Sequence, residues 1–455
     1  MKTRHAAFLT ALLSAAALTP AIAQEKKFDT GMIPSDHILL PEDGAAKANI
    51  FLISDAGGWG DAEQHEAEAL VAKGAAVVGI DFPAYIKALA QDKGDCVYMI
   101  SDVEALAQQI QRASGTSAYA PPIVAGIGEG GALALAMISQ SPAATLGEAV
   151  AVDPQAGIPL QKVLCTPADK QTANGRTVYG FTDGPLPATV TIALTKDAPK
   201  DGREHAAALE KAHNDVDLTD EEGAAASVLA QMLADRVDAA GNTDQPLGLP
   251  ISILEAKPKY DTMAVIYSGD GGWRDLDKEV ASVLQGQGIP VVGVDSLRYF
   301  WSERKPQETA DDLSRIMDAY RREWNVKHVL LIGYSFGADV LPATYNLLSD
   351  KDKARVPQIT LMALSRQVDY VISVEGWLGV DGEGKGGDPV KDIGKIDPKL
   401  VQCIYGTDED DDPCPTLKDK GVESVAIEGG HHFDEDYEAL AAKITTALKT
   451  RLAIP

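Results

Sequence analysis

Short apolar runs rich in Val, Ile and Leu alternate along this chain with Ala-rich stretches of helix-compatible spacing. Strand-length runs stand at 50–54, 77–81, 190–194, 264–268, 291–295, 328–332, 401–405 and 422–427, and helical patterns at 221–237 and 338–348. Alternation of this kind predicts mostly parallel sheets covered by helices, an α/β architecture. The first residues break the pattern. Lys2, Arg4 and His5 precede an apolar run over 6–18, and Ala21-Ile22-Ala23 forms a small-x-small site before Gln24. This layout predicts a secretory signal peptide over 1–23, its apolar run too short for a stable membrane span. No later stretch reaches the roughly 18 apolar residues of a spanning helix, so no transmembrane segment is expected and a bacterial periplasm is the expected address.

The pattern also repeats. Ile50-Phe51-Leu52-Ile53-Ser54-Asp55-Ala56-Gly57-Gly58-Trp59 parallels Ala264-Val265-Ile266-Tyr267-Ser268-Gly269-Asp270-Gly271-Gly272-Trp273, an offset of 214 (273 − 59). Val77-Val78-Gly79-Ile80-Asp81 parallels Val291-Val292-Gly293-Val294-Asp295 at the same offset, and so do Tyr85 and Tyr299. A period this long is domain duplication rather than a solenoid. Two domains, 24–240 and 250–455, are expected, joined through the polar, Gly- and Pro-containing stretch 238–249. Residues 379–388, rich in Gly, read as a surface loop, with a lid as the alternative.

The second half carries chemistry. Leu331-Ile332-Gly333-Tyr334-Ser335-Phe336-Gly337-Ala338 is an apolar strand entering Gly-x-Ser-x-Gly. That motif builds a sharp strand-to-helix turn which lifts the Ser335 hydroxyl out of the backbone. An acid and a histidine follow in the order expected of α/β-hydrolases. The strand 401–405 ends at Gly406-Thr407-Asp408-Glu409, and the strand 422–427 ends at Gly429-Gly430-His431-His432-Phe433. Serine becomes a strong nucleophile only when a histidine takes its proton, and a carboxylate holds that imidazole in the useful tautomer. His431, after a glycine and before x-Phe, is the expected base, with His432 the alternative. Asp408, where the loop leaves its strand, is the expected acid, with Glu409 the alternative; Asp410, Asp411 and Asp412 read as a solvated acidic face. The Gly-rich turn 269–273 can supply an oxyanion hole from the N–H of Asp270 or Gly271 together with that of Phe336. The expected fold is therefore two tandem α/β-hydrolase-like domains.

The first copy lacks the nucleophile. Gly126-Ile127-Gly128-Glu129-Gly130 lies opposite the elbow, and Gly128 falls where Ser335 stands. Val190 to Leu194 followed by Asp197 aligns with Val401 to Tyr405 followed by Asp408, which favours Asp408; His213-Asn214-Asp215 resembles His432-Phe433-Asp434, which favours His432. This half is expected to cover the active site, hold a partner or stabilise its twin.

Composition narrows the partners. Sixty-seven acidic residues against 41 basic ones leave a formal charge of −26. Nucleic acid is excluded as a partner because no basic patch would neutralise phosphates, and adsorption to an ordinary anionic membrane is disfavoured. Four cysteines allow three pairings. Cys403 and Cys414 bracket the acid loop and are expected to pair, leaving Cys96 with Cys165. No CxxC spacing or His cluster accompanies them, so zinc is the lesser alternative and no metal or cofactor is expected.

The signal peptide, the duplicated halves, Ser-Gly-Asp-Gly-Gly-Trp (268–273), Gly-Tyr-Ser-Phe-Gly-Ala-Asp (333–339) and Gly-Gly-His-His-Phe-Asp (429–434) together resemble the AcvB/VirJ family of bacterial virulence proteins. The two-domain length resembles the AcvB members, VirJ corresponding to the second half alone. The resemblance implies a periplasmic hydrolase that cleaves the aminoacyl ester of lysyl-phosphatidylglycerol to lysine and phosphatidylglycerol. It also implies links to acid tolerance, to virulence and to a type IV secretion machinery as partner. Such a substrate, an aminoacylated phospholipid at the periplasmic face of the inner membrane, carries two ammonium groups, for which Asp270, Asp339 and the 408–412 run are candidate partners. Another periplasmic carboxylesterase, or a non-enzymatic secretion adaptor, are the rival readings.

Overall fold

A computed structural model of the chain describes residues 27–454 apart from 35, 43–44, 117–118, 144, 174, 185, 214, 241–245 and 373–384. The expected signal peptide, and parts of the expected linker and of the 379–388 loop, lie outside the described residues.

The first half forms β1 (His37–Leu39), β2 (Ala48–Ile53), β3 (Ala75–Ile80), β4 (Ile123–Ile127), β5 (Glu148–Val152), a separate hairpin of β6 (Lys170–Ala173) and β7 (Arg176–Tyr179), β8 (Thr189–Leu194) and β9 (Val216–Asp220). The second forms β10 (Ile251–Leu254), β11 (Thr262–Tyr267), β12 (Val291–Val294), β13 (His328–Tyr334), β14 (Gln358–Met362), β15 (Val401–Gly406) and β16 (Glu423–Ile427). Among the described residues these make two seven-stranded sheets, ordered β1-β3-β2-β4-β5-β8-β9 and β10-β12-β11-β13-β14-β15-β16. In each, the first strand is antiparallel and the others run parallel. Strand for strand this is one topology built twice, the order of an α/β-hydrolase. The expected repeat is therefore a repeat of fold. Parallel strands need cover on both faces, and each sheet has a separate apolar cluster on either side, around Phe51 and Ile50 in the first and around Val265 and Ile266 in the second.

The repeated sequence blocks have a packing cause. Trp273 lies across Gly293, where an added Cβ would sit 2.3 Å from the indole, and Trp59 lies across Gly79 in the same way. Asp295 accepts from the Trp273 N–H, and Asp81 from the Trp59 N–H at 2.8 Å. Each aspartate also caps the short helix that follows, through Arg298 N–H and Ala84 N–H. Ser268 and Ser54 accept from the N–H groups of Ser296 and Phe82. The tryptophan, glycine, aspartate and serine thus lock the turn after β11, and after β2, onto the neighbouring strand.

The helix Ile100–Ala113 of the first half packs onto the second. Arg112 stacks on Trp301, 3.6 Å from the ring centroid, and donates to the carbonyls of Trp301 and Ile372. Trp301 Nε1 donates to Thr116 O at 2.9 Å, Arg298 Nε to Tyr119 O at 3.2 Å, and Tyr119 itself belongs to the apolar core of the second half. About two turns earlier on the same helix, Glu104 Oε1 accepts from Arg274 Nη1 at 3.1 Å.

Candidate active site

The sequence-predicted site residues converge at the carboxyl ends of the parallel strands of the second sheet, where open α/β sheets place their sites. β13 ends in the elbow. Ser335 adopts φ 50°, ψ −118°, a left-handed conformation that costs a residue with a side chain about 1–3 kcal/mol. Close packing imposes it: a Cβ on Gly333 would lie 2.4 Å from Gly337 O, and one on Gly337 would lie 2.1 Å from Tyr267 O. The Ser335 N–H bonds to Met362 O at 2.9 Å. The helix Phe336–Leu347 begins at the next residue, so the Phe336 N–H has no carbonyl within the helix to bond.

His431, after β16, places Nε2 3.0 Å from Ser335 Oγ. Its neighbour His432 turns the other way, with Nδ1 3.1 Å from the Tyr334 hydroxyl. Phe433, fully buried in the core beside Tyr334, anchors this loop. The carboxylate facing His431 is not Asp408 but Glu409, whose Oε2 lies 3.5 Å from His431 Nδ1. Asp408 is exposed; its N–H pairs with Gly429 O, and among the described residues its carboxylate meets only the adjacent Thr407 hydroxyl at 3.4 Å. The reason is the turn closed by Glu409 N–H to Gly406 O at 3.2 Å, which swings the third residue after Gly406, not the second, toward the histidine.

Two further expectations change. Asp412 is not on a solvated face: it is buried, accepts from the N–H groups of Cys414 and Leu364, and burial pushes its carboxyl up to about 6. Asp339 is half-buried on the wall of a cavity beside Ser335, with its carboxylate already engaged. It is spent on the N–H and hydroxyl of Ser365, at 2.8 and 2.9 Å, and burial raises it to about 8. Both expected disulfides are present, Cys403–Cys414 across the Glu409 loop and Cys96–Cys165 in the first half. Cys403, Cys414 and Asp412 lie close together, but both sulfurs are taken by the disulfide, so they offer no thiolate to a metal.

The turn after β11 faces Ser335 from the other side. Gly269 packs on Ser335 and Tyr334, Gly272 N–H closes the turn onto Gly269 O at 3.1 Å, and the buried Asp277 accepts from Gly269 N–H. Arg274 folds over Gly271 and ties this turn to the first half through Glu104 and the Thr145 hydroxyl (2.8 Å). Sequence reasoning passed over Arg274 and Glu104. A signal existed: Arg274 stands where the repeat has Gly60, so the second half departs from its copy just beyond the shared Gly-Gly-Trp.

Two cavities open beside Ser335, and Asp270 and His431 line both. One, about 490 Å³, lies within the second half among Phe336, Leu364, Asp369 and Glu409. The other, about 810 Å³, lies between the halves, walled by the helix Ile100–Ala113 on one side and by the turn 269–277 on the other.

The first copy keeps the elbow without the chemistry. Gly128 has φ 55°, ψ −112°, close to Ser335. Asp55 stands where the second half has Gly269, and its carboxylate accepts from Glu129 N–H at 2.8 Å, the amide equivalent to that of Phe336. A Cβ at Gly128 would lie 2.4 Å from Asp55 Oδ1. Asp197 is exposed and His213 packs edge-on against Phe181.

Fold and elbow define an α/β-hydrolase fold present twice, one copy lacking the nucleophile. Residues 261–452, within the second half, match the family of bacterial virulence proteins described as VirJ. No curated protein matches the chain. Among solved structures it is similar to Est1E from Butyrivibrio proteoclasticus (12% identity, 45% of this chain and 93% of that one, TM-score 0.32). It is also similar to a lipase-esterase related protein from Clostridium acetobutylicum (15%, 43% and 98%, 0.32) and to XC6422 from Xanthomonas campestris, an α/β serine hydrolase without lid (16%, 44% and 87%, 0.30).

Proposed function

We propose that the chain is a serine hydrolase of carboxylic esters, with Ser335 as nucleophile, His431 as general base and acid, and Glu409 as the group that orients the imidazole. The observation that carries this reading is the array Ser335 Oγ–His431 Nε2 (3.0 Å)–His431 Nδ1–Glu409 Oε2 (3.5 Å), mounted on a strained elbow. Ser335 Oγ attacks the ester carbonyl carbon as its proton passes to His431 Nε2. The Phe336 N–H, with that of Asp270 or Gly271, receives the oxyanion. The carbon–oxygen bond breaks as His431 returns the proton to the departing alcohol, and water repeats the sequence to free the acid.

The substrate we assign is an aminoacyl ester of a phospholipid headgroup, lysyl-phosphatidylglycerol, cleaved to lysine and phosphatidylglycerol. The acidic surroundings of Ser335 and the likeness of 261–452 to VirJ proteins support it. A periplasmic address is supported by two disulfides, which form and persist in oxidising compartments. No helix among the described residues is long and apolar enough to cross a membrane. The test is incubation of the protein and of Ser335→Ala with lysyl-phosphatidylglycerol vesicles, following free lysine by thin-layer chromatography. Lysine release by the wild type alone is expected. A chain that reacts with a fluorophosphonate yet releases no lysine is a serine hydrolase of another ester, and the lipid assignment falls.

A further inference from the structure

The larger cavity beside Ser335 is not built by the catalytic half alone. One face of the helix Ile100–Ala113, through Ser101, Glu104, Ala105 and Gln108, forms its far wall, at the i, i+3, i+4, i+7 spacing of a single helical stripe. Its lining carries six acidic side chains, Asp29, Asp102 and Glu104 from the first half and Asp270, Asp275 and Asp277 from the second; burial pushes Asp277 well above the ordinary carboxylate range and raises Glu104 and Asp102. Arg274 is the one Lys or Arg among the described lining residues, and it is engaged by Glu104 and Thr145. An excess of one charge within low-dielectric walls focuses potential onto a ligand of the opposite sign.

Two residues of this lining also carry a buried polar atom without a partner. Gln108 is 1% exposed and its Nε2 has no hydrogen-bond partner; Asp277 is 2% exposed and its Oδ1 has none. Buried polar groups are normally satisfied, and these two exceptions stand on opposite walls of the one cavity. Tyr98, 42% exposed, stands at the same wall and offers a ring face to a cation.

We infer that the half without a nucleophile is the substrate-selecting wall of the active site, and that Asp102, with Tyr98, holds the cationic part of an ester whose carbonyl lies at Ser335. This rests on the serine hydrolase reading and adds to it a specificity element outside the catalytic half. Asp102 suits the role because its Oδ2 takes a single N–H, that of Met32 at 2.9 Å, and the helix holds it against Gly31.

The test uses the full chain and three ethyl esters of graded charge: lysine, norleucine and N-acetylnorleucine. Wild-type kcat/KM is expected to rank them in that order. In Asp102→Asn the ratio of the lysine to the N-acetylnorleucine value should fall about tenfold, a modest value for one desolvated carboxylate–ammonium pair. Asp29→Lys, at an exposed rim position where the carboxylate accepts from Gly31 N–H at 3.2 Å, should move the ratio the same way. A parallel fall for all three esters makes Asp102 a structural residue and overturns the inference, as does a ratio unmoved by both variants. A wild type that labels with fluorophosphonate but prefers the neutral ester overturns the selecting wall while the hydrolase reading stands. A wild type that does not label overturns both.

Discussion

Replacing Glu409 by Gln keeps the side chain's shape and removes its charge. The Glu409–His431 contact is 3.5 Å, and both side chains are about a third or more exposed (34% and 41%). At that distance a unit pair is worth about 5 kcal/mol at an effective dielectric of 20 and about 1 kcal/mol in bulk water. Partial exposure places this pair between the limits, near 3 kcal/mol of stabilisation for the imidazolium that forms in the transition state, or about a hundredfold in kcat. Asp408→Asn, one residue away on an exposed carboxylate in contact with the adjacent Thr407 hydroxyl, should change kcat less than about threefold. The assay is the turnover of an amino-acid ethyl ester, paired with the fluorophosphonate labelling rate, which isolates nucleophile activation from product release. A crippled Asp408→Asn beside an unaffected Glu409→Gln would refute the reasoning and restore Asp408 as the acid.

Three more outcomes follow from the geometry. Gly128→Ser placed in Ser335→Ala should restore neither turnover nor labelling, because Asp55 occupies the site of the new Cβ and takes the amide an oxyanion would need; a fluorophosphonate label found at position 128 in a tryptic digest would contradict this. Removing Cys403–Cys414 by paired Ser substitutions frees a loop of 11 residues' separation, which should cost about 3 kcal/mol of stability and lower kcat, since the loop carries Glu409; a lower Tm with unchanged kcat would uncouple disulfide and site. Asp339 is raised to about 8 from an ordinary 3.8, so the folded chain holds a proton there that the unfolded chain has lost. Its contribution therefore makes stability decline as pH rises from about 4 to about 8. Asp339→Asn should flatten that decline in urea unfolding at pH 5 and pH 8, and equal slopes in the two proteins would count against it.

Much of this protein was legible from its residues because local rules constrain them strongly. Gly333 and Gly337 admit no side chain at a strand-to-helix turn, Phe433 is a buried anchor after the histidines, and the Gly-Gly-Trp block needs a glycine on the next strand to receive its indole. The elbow, the repeated Gly-Gly-Trp turns and the local Cys403–Cys414 pairing follow from such short-range requirements. The choice between Asp408 and Glu409 did not, because adjacent residues on a loop differ only in the direction the turn gives them. Nor did the burial of Asp412 or the engagement of Asp339, in the first turn of the helix after β13, by Ser365, beyond β14 and 26 positions away. The composite cavity was out of reach altogether. Glu104 and Arg274 are 170 positions apart, and each reads alone as an ordinary surface charge. Periodicity records which face of a helix is apolar and what each turn demands, and the chain carries that information locally. Which polar face meets which across two domains is decided only when both sheets have formed and Arg112 has docked on Trp301.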